Sequence, residues 1–209
     1  MRTVFVNPER CIGCLQCEFA CAVEHSQTRD PVAAIGEVPL PRKRIHVVAG
    51  PLANSAFPNR CRHCDPAPCQ QVCPTGAISR DRTGDLVLLD EARCIACAMC
   101  AIVCPFDVLT FHPVDHAARG RVVALKCDGC VDRLERGAMP ACVEACKVGA
   151  LVFGDINEIA AGGRRRETVA VLTATATIPP DRPAVPEGVA SWRALGGSAE
   201  DVGQAGGVR

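Results

Sequence analysis

Short apolar runs of three to five residues recur along the first part of the chain, separated by turns rich in Gly, Pro and charged residues. Runs of this length and composition are typical of short β-strands. They are Val4–Val6, Ile45–Ala49, Leu86–Leu89, Val122–Leu125 and Leu151–Phe153. Segments between them, such as Glu18–Ala20 and Val143–Ala145, suit the start of a short helix. The pattern predicts a small α+β unit of short strands and one-turn helices, used twice.

The pattern changes near Ala160, where Gly162-Gly163 and a run of three arginines precede a β-branched stretch, Val169–Ile178. Residues 181–209 are rich in Gly, Ala and Pro. We therefore expect one domain over residues 1–160 and a C-terminal tail over residues 161–209. The tail is flexible in one interpretation. In the other it orders against a partner, through the β-prone stretch and Trp192, the only Trp of the chain.

Residues 25–60 form an insertion in which five prolines exclude long regular elements and one strand, Ile45–Ala49, is expected. The basic trio Arg42-Lys43-Arg44 precedes that strand. It lies on a solvated face in one interpretation. In the other it docks on an acidic partner surface.

Composition changes this picture, because 16 of 209 residues are Cys, whereas aromatic residues make up 3% and Tyr is absent. A core poor in large side chains needs metals or disulfides to hold it. The N-terminal apolar run is too short for a secretory signal, and no apolar stretch is long enough to span a membrane. Lys+Arg and Asp+Glu both total 23, so nucleic-acid binding gains no support. These features favour a reducing, cytoplasmic protein whose thiolates bind metal.

All the cysteines fall into four quartets, each consisting of three cysteines and a fourth that lies four residues beyond the third. The quartets are Cys11, Cys14, Cys17, Cys21; Cys61, Cys64, Cys69, Cys73; Cys94, Cys97, Cys100, Cys104; and Cys127, Cys130, Cys142, Cys146. The run from Cys94 to Pro105 has the spacing C-x2-C-x2-C-x3-C-P, with which bacterial ferredoxins bind [4Fe-4S] clusters. In that run the fourth cysteine binds a second cluster. The spacing therefore predicts that the quartets exchange their fourth cysteines.

The residue after each fourth cysteine suggests which quartets exchange. Cys21 and Cys146 are not followed by Pro, whereas Cys73 and Cys104 are. We therefore pair the two outer quartets with each other and the two inner quartets with each other. The predicted ligand sets are Cys11, Cys14, Cys17 with Cys146; Cys127, Cys130, Cys142 with Cys21; Cys61, Cys64, Cys69 with Cys104; and Cys94, Cys97, Cys100 with Cys73.

The quartets, together with the segments 61–69 and 140–146, resemble the four-cluster ferredoxin-like electron-transfer subunits of molybdenum and tungsten oxidoreductases, hydrogenases and carbon monoxide dehydrogenase. The resemblance covers residues 3 to about 155 and all sixteen cysteines. It implies the same exchange of ligands, four [4Fe-4S] clusters arranged as a wire, and two interleaved bacterial-ferredoxin-like modules. One module surrounds Cys11–Cys21 and Cys127–Cys146, and the other surrounds Cys61–Cys104. The chain departs from the family pattern at Lys147, where many relatives have Pro, and in its long tail.

The resemblance implies a non-catalytic subunit that relays single electrons. Its expected partners are a catalytic subunit, of the carbon monoxide dehydrogenase type or the tungsten or molybdenum aldehyde or formate oxidoreductase type, and an acceptor. The acceptor would be a flavoprotein, a hydrogenase or a quinone-linked module, and self-association stays open. The sequence contains no nucleophile elbow, phosphate-binding Gly loop or dinucleotide fingerprint, which agrees with electron transfer rather than catalysis.

The alternative is a zinc-stabilised interaction module without a redox role. Zinc sites commonly use two C-x2-C pairs, whereas each quartet here carries a lone cysteine after its third. His63 lies between two cysteines and is interpreted as a surface histidine or one adjacent to the ligands, since sixteen thiolates already satisfy four clusters. His25 shows no spacing suited to metal binding.

Overall fold

Short strands and short helices alternate in the computed structural model, which describes residues 2–51, 55–81, 84–114 and 121–176. The strands are β1 (Arg2–Val6), β2 (Ile45–Ala49), β3 (Ala56–Arg60), β4 (Ile78–Asp81), β5 (Leu86–Leu89), β6 (Thr110–Pro113), β7 (Val122–Leu125) and β8 (Leu151–Asp155). The helices are α1 (Gln16–Glu24), α2 (Pro68–Gln71), α3 (Met99–Ile102), α4 (Val131–Glu135), α5 (Ala141–Glu144) and α6 (Ile156–Ala176). The predicted mixture of strands and short helices is confirmed.

The described strands form antiparallel pairs rather than one continuous sheet. Strand β2 pairs with β3, β4 with β5, and β6 with β7, so these three pairs join neighbours along the chain. The pair β1–β8 is different, because it joins the two ends of the domain and places Val4 opposite Phe153. This long-range pair brings the fourth quartet close to the first.

Local sequence explains why the helices between cysteines are short. Helix α2 begins at Pro68, which lacks the N–H that would have no partner in a first helical turn. Helices α1 and α3 each follow a residue in the left-handed region, Leu15 (φ 61°) and Ala98 (φ 61°). Pro74 and Pro105 follow the fourth cysteines of the inner quartets, where a missing N–H prevents helix continuation.

The hydrophobic core consists of three small clusters, and each contains cysteine side chains. The first joins Val4, Ile45 and Leu151 with Cys17, Cys21 and Cys142. The second joins Ile78, Val87 and Ala124 with Cys100. The third joins Val108 with Cys61 and Cys127. The interior is therefore built around thiols, as the shortage of large side chains leads one to expect.

The segment from Ile156 to Ala176 is a helix, so the expected β-prone stretch from Val169 is wrong as far as the structure describes it. The Thr168 hydroxyl donates to the Arg164 carbonyl (2.9 Å) and the Thr175 hydroxyl to the Val171 carbonyl (3.1 Å). Such bonds to the preceding turn accommodate β-branched residues in a helix. Trp192 and the rest of the expected tail beyond residue 176 lie outside the described residues.

The contacts within the chain divide it into two units, residues 1–160 and residues 161–209. Within the described ranges, no helix has both the length and the apolar character needed to cross a bilayer.

Candidate metal centres

Four cysteines from opposite ends of the domain line one cavity: Cys11, Cys14, Cys17 and Cys146. The β1–β8 pair positions them, and Asn7 extends it, since its backbone N–H donates to the Ala150 carbonyl (2.7 Å). The structure thus brings Cys146 to the first three cysteines of the chain, as one predicted set requires.

A second cavity is lined by Cys73, Cys94, Cys97 and Cys100. Its supporting contacts repeat those of the first, because the Asp90 N–H donates to the Ala77 carbonyl (2.8 Å) just as the Asn7 N–H donates to Ala150. Both cavities combine a loop with three cysteines and one cysteine that precedes a turn and a strand. The same local structure therefore occurs twice.

Interactions between buried thiols also connect members of the other two predicted sets. Burial raises the pKa of Cys21, and the thiolates of Cys127, Cys142 and Cys130 raise it further. Helix α1, which carries Cys21, packs against α5, which carries Cys142.

In the remaining set, burial raises the pKa of Cys69, as do the thiolates of Cys61 and Cys104 to a smaller degree. Cys104 packs against the buried cluster that contains Cys61. Cys64 belongs to the same binding loop as Cys61, three residues further along.

One backbone conformation recurs in all four binding loops. The residue before the second cysteine of each quartet has a positive φ: Gly13 (69°), His63 (50°), Ala96 (55°) and Gly129 (72°). This turn directs an N–H back to the first thiol of the loop. The His63 N–H donates to Cys61 Sγ (3.4 Å), and the Gly129 N–H donates to Cys127 Sγ (3.3 Å).

Further backbone N–H groups donate to thiols from outside the loops. Arg44 donates to Cys21 Sγ (3.3 Å), Ala124 to Cys94 Sγ (3.4 Å) and Leu151 to Cys146 Sγ (3.4 Å). Hydrogen bonds to ligand sulfur stabilise thiolates and help to set the potential of iron–sulfur centres. These donors lie on strands or next to them, so the fold itself supplies them.

Most of the perturbed thiols would be protonated without a metal. Burial raises the pKa of Cys17 to about 11 and that of Cys130 and Cys142 to about 12. Cys127 is an exception, since burial raises its pKa but the Arg60 guanidinium and the His63 side chain lower it to about 5. Soft, converging, buried sulfur donors fit an iron–sulfur core, and binding one would release protons from these thiols.

His25 and Asp128 form a network behind the thiols that sequence reasoning missed. His25 Nδ1 lies 2.7 Å from the Cys21 carbonyl oxygen and Nε2 lies 3.1 Å from Asp128 Oδ2, so a doubly protonated ring satisfies both acceptors. Arg44 Nη1 donates to the same carboxylate (2.6 Å). Although burial raises the pKa of Asp128, its contacts with His25 and Arg44 hold it well below its usual range.

Two members of the basic trio pair within the protein. Arg42 and Lys43 are exposed, as the solvated-face interpretation expects, but Lys43 Nζ lies 2.6 Å from Glu18 Oε2. Arg44 is only partly exposed and pairs with Asp128. Asp128 lies more than eighty positions from Arg44. No local sequence pattern predicts a pair between residues so far apart.

Of the two positions expected for His63, the structure supports the one adjacent to the ligands, because the side chain is buried and lowers the pKa of Cys127. Its Nδ1 accepts a hydrogen bond from the Val87 N–H (3.0 Å). His63 therefore ties the second binding loop to β5.

A comparison with known protein families identifies the family to which this chain belongs. Residues 52–156, about half of the chain, match the model of the 4Fe-4S dicluster domain. The chain belongs to the 4Fe-4S dicluster family. The matched region of this dicluster protein contains the second, third and fourth quartets.

The dicluster chain also resembles individual curated proteins. It is 40% identical over 162 residues to an iron-sulfur protein of Rhodospirillum rubrum, covering 74% of this chain and 82% of the relative. It is 38% identical over 177 residues to the electron transport protein HydN of Escherichia coli K12, covering 79% and 96%. It is 38% identical over 161 residues to the thiosulfate reductase electron transfer subunit PhsB of Salmonella typhi, covering 73% and 74%.

These relatives confirm the prediction of an iron–sulfur electron-transfer protein rather than a catalytic one. Two of the three are named for electron transport or electron transfer, and the third is named as an iron–sulfur protein. The zinc-stabilised alternative is not favoured by the family match.

Proposed function

We propose that this dicluster-family protein binds four [4Fe-4S] clusters and uses them to relay single electrons. The ligand sets are those proposed from the sequence: Cys11, Cys14, Cys17, Cys146; Cys127, Cys130, Cys142, Cys21; Cys61, Cys64, Cys69, Cys104; and Cys94, Cys97, Cys100, Cys73. The observation that carries the proposal is the meeting of Cys146 with Cys11, Cys14 and Cys17 around one cavity. A bound cluster supplies one-electron redox chemistry, and the protein supplies thiolates, N–H donors and burial.

We also propose that the fold consists of two interleaved ferredoxin-like modules. The support is the repetition of one arrangement, in which Asn7 bonds to Ala150 and Asp90 bonds to Ala77. In the first case the bond closes a loop over most of the domain. In the second case it closes a loop within the inner quartets. The outer module would therefore enclose the inner one along the sequence.

The order of the centres along the relay would run from the Cys94 set through the Cys61 and Cys127 sets to the Cys11 set. Contacts between α2 and α3, between Cys61 and Cys127, and between α1 and α5 support this order. The two terminal sets each contain an exposed cysteine, Cys14 and Cys97.

Exposed apolar side chains surround the two terminal sets. Ile12, Leu15 and Phe19 lie near Cys14, and Ile95, Met99 and Ile102 lie near Cys97. We propose that one terminal set exchanges electrons with a catalytic subunit and the other with an acceptor. A terminal centre near the surface, within an apolar face, suits transfer across a subunit contact.

The catalytic partner would be a molybdenum, tungsten or carbon monoxide oxidoreductase, and the acceptor a flavoprotein, a hydrogenase or a quinone-linked module. The Salmonella relative is named as an electron transfer subunit of thiosulfate reductase, which supports a catalytic partner in general. The sixteen free cysteines support a reducing compartment such as the cytoplasm.

The first test is the composition and ligation of the anaerobically prepared protein. We expect about sixteen iron and sixteen sulfide ions per chain, from four cubane clusters. Zinc without sulfide would refute the proposal.

Ligand exchange tests the proposed sets, with electron paramagnetic resonance of the reduced protein as the measurement. Cys146→Ser and Cys14→Ser should alter the same signal, whereas Cys104→Ser should alter another. The neighbouring substitution Lys147→Ala serves as the control and should leave all signals in place. If Cys146→Ser instead altered the signal that Cys130→Ser alters, each quartet would bind its own cluster and the exchange would be wrong.

A further inference from the structure

Two buried cationic side chains, one beside the second quartet in the sequence and one beside the fourth, each contact a thiol of the other quartet. Arg60 immediately precedes Cys61, and Lys126 immediately precedes Cys127. Their exposed fractions are only 2% and 4%. Each donates to the first thiol of the opposite quartet: Arg60 Nη2 lies 3.5 Å from Cys127 Sγ, and Lys126 Nζ lies 3.8 Å from Cys61 Sγ.

The surroundings of Lys126 are those of an ammonium group. Its Nζ donates to the Val87 carbonyl, to the Cys127 carbonyl (2.8 Å) and to Cys61 Sγ. An ammonium has three hydrogens and no lone pair, so three acceptors satisfy it fully. A neutral amine would leave one of these acceptors facing a lone pair.

Arg60 keeps its positive charge as well, because a guanidinium is not deprotonated in proteins. Its Nη1 donates weakly to the Val4 carbonyl (3.4 Å), and its Nε has no partner in the structure described. In that same part of the chain, neither Arg60 nor Lys126 forms an ion pair with a carboxylate. Buried charge is costly unless it is balanced, and the adjacent sulfur sites are the available counter-charge.

The terminal sets offer a matched comparison, since Arg10 and Arg93 precede Cys11 and Cys94 in the same way. Both of these arginines are exposed. Arg93 Nη2 donates to the Thr75 carbonyl (2.9 Å), and the Arg10 guanidinium lies beside Gly149. Each therefore contacts the turn after a fourth cysteine instead of a thiol. Water screens the charges of Arg10 and Arg93, whereas the charges of Arg60 and Lys126 lie in the interior and interact more strongly with their surroundings.

We propose that Arg60 and Lys126 are crossed potential-setting residues that raise the reduction potentials of the two central centres. The inference rests on the proposed function and deepens it. Reduction adds one negative charge to a centre, and a buried cation a few ångströms away stabilises the added charge. The crossing assigns Lys126 to the centre of Cys61 and Arg60 to the centre of Cys127, opposite to their positions in the sequence. Together the two cations also oppose the repulsion between electrons on neighbouring centres.

Lys126→Gln tests the assignment, because an amide retains donors for the two carbonyls but removes the charge. The measurement is an anaerobic redox titration of the holoprotein followed by electron paramagnetic resonance. We expect one midpoint to fall, by about 59 mV for a tenfold decrease in the one-electron reduction equilibrium. The affected signal should be the one that Cys64→Ser alters. Lys126→Arg, which keeps the charge, and Arg10→Gln, the exposed counterpart, should leave every midpoint near its original value.

The reciprocal variant, Arg60→Gln, should lower the midpoint of the signal that Cys130→Ser alters. It also provides the test if Lys126→Gln does not assemble. The proposal is overturned if the variant that assembles shifts no midpoint, or shifts the midpoint of the quartet that follows the substituted residue in the sequence. It is also overturned if the shift is no larger than the shift caused by Arg10→Gln. The iron and sulfide content separates the two hypotheses. An unsubstituted protein without four clusters refutes the proposed function, whereas a variant that holds four clusters with unchanged midpoints refutes only the role of the cations.

Discussion

Replacing Glu18 by alanine removes the carboxylate that joins helix α1 to strand β2. Glu18 is buried, and its Oε1 accepts a hydrogen bond from the Val47 backbone N–H at 2.6 Å. Its Oε2 accepts from Lys43 Nζ, also at 2.6 Å. Among the described strands, β2 pairs with β3 alone, so the N–H groups on its other edge need acceptors elsewhere. Glu18 therefore fastens the hairpin of the insertion to the helix that carries Cys17 and Cys21.

The magnitude follows from the two contacts. A buried N–H left without an acceptor costs about 1–3 kcal/mol. The ion pair with Lys43 adds less than about 1 kcal/mol, because the Lys43 side chain is 45% exposed and water screens the pair. Together the two contacts contribute about 1–4 kcal/mol. At about 3 °C per kcal/mol for a domain of this size, the unfolding midpoint should fall by about 3–12 °C.

Two variants separate the contacts. Glu18→Gln retains an amide oxygen that can accept from the Val47 N–H, so it should lose less than about 1 kcal/mol. Lys43→Met removes only the ion pair and should behave similarly. The assay is far-ultraviolet circular dichroism of the anaerobic holoprotein, heated at one fixed rate for all variants. If Glu18→Ala lowered the midpoint no further than Lys43→Met, the contact with Val47 would not stabilise the fold and the reasoning would be refuted.

Two further substitutions test a titrating side chain and a strained backbone position. Burial, followed by the nearby charge of Lys43, lowers the pKa of His46, so protonation favours the unfolded chain and stability falls as the pH drops through about 6.5. His46→Gln should therefore reduce the difference in unfolding midpoint between about pH 7.5 and about pH 5.5, and an unchanged difference would contradict this cause. Gly129 has φ +72°, and an added Cβ would lie 2.7 Å from Leu86 Cδ2; Gly129→Ala should destabilise by about 1–3 kcal/mol, as measured by the same thermal assay. Gly36→Ala is the control, because an added Cβ at Gly36 has no atom within 4 Å, and it should destabilise the protein less. Equal losses of stability in the two variants would show that the strain at Gly129 is not the cause.

Several elements could be predicted because their signals are local. The apolar runs Ile45–Ala49 and Val122–Leu125 are strands with those bounds. Gly13 and Gly129 each precede a second cysteine, and both have a positive φ, which glycine adopts without strain. In each case the residues that determine the local conformation lie close together in the sequence.

The remaining features depend on contacts between distant segments. His25 and Asp128 are 103 positions apart, and neither has a spacing that suggests a partner. Arg60 and Lys126 resemble Arg10 and Arg93 in the sequence, since all four precede a first cysteine. Only the packed structure distinguishes the buried pair from the exposed pair.

The α6 segment was mispredicted for another reason. Its Val and Thr residues favour strands in general, but propensity is a weak signal. Ala residues and hydroxyl bonds to the preceding turn accommodate a helix there.

The pairing of β1 with β8 determines which part of the domain can fold first during synthesis. Arg2 lies opposite Asp155, so nearly the whole domain must have left the ribosome before the first strand finds its neighbour. Among the described residues, those that line the cavity of Cys73, Cys94, Cys97 and Cys100 end at Ala124, so this cavity can close earlier. Synthesis proceeds from the N-terminus, and most of the domain separates Cys17 from Cys146 along the chain. The proposed set of Cys11, Cys14, Cys17 and Cys146 would therefore be the last to be completed.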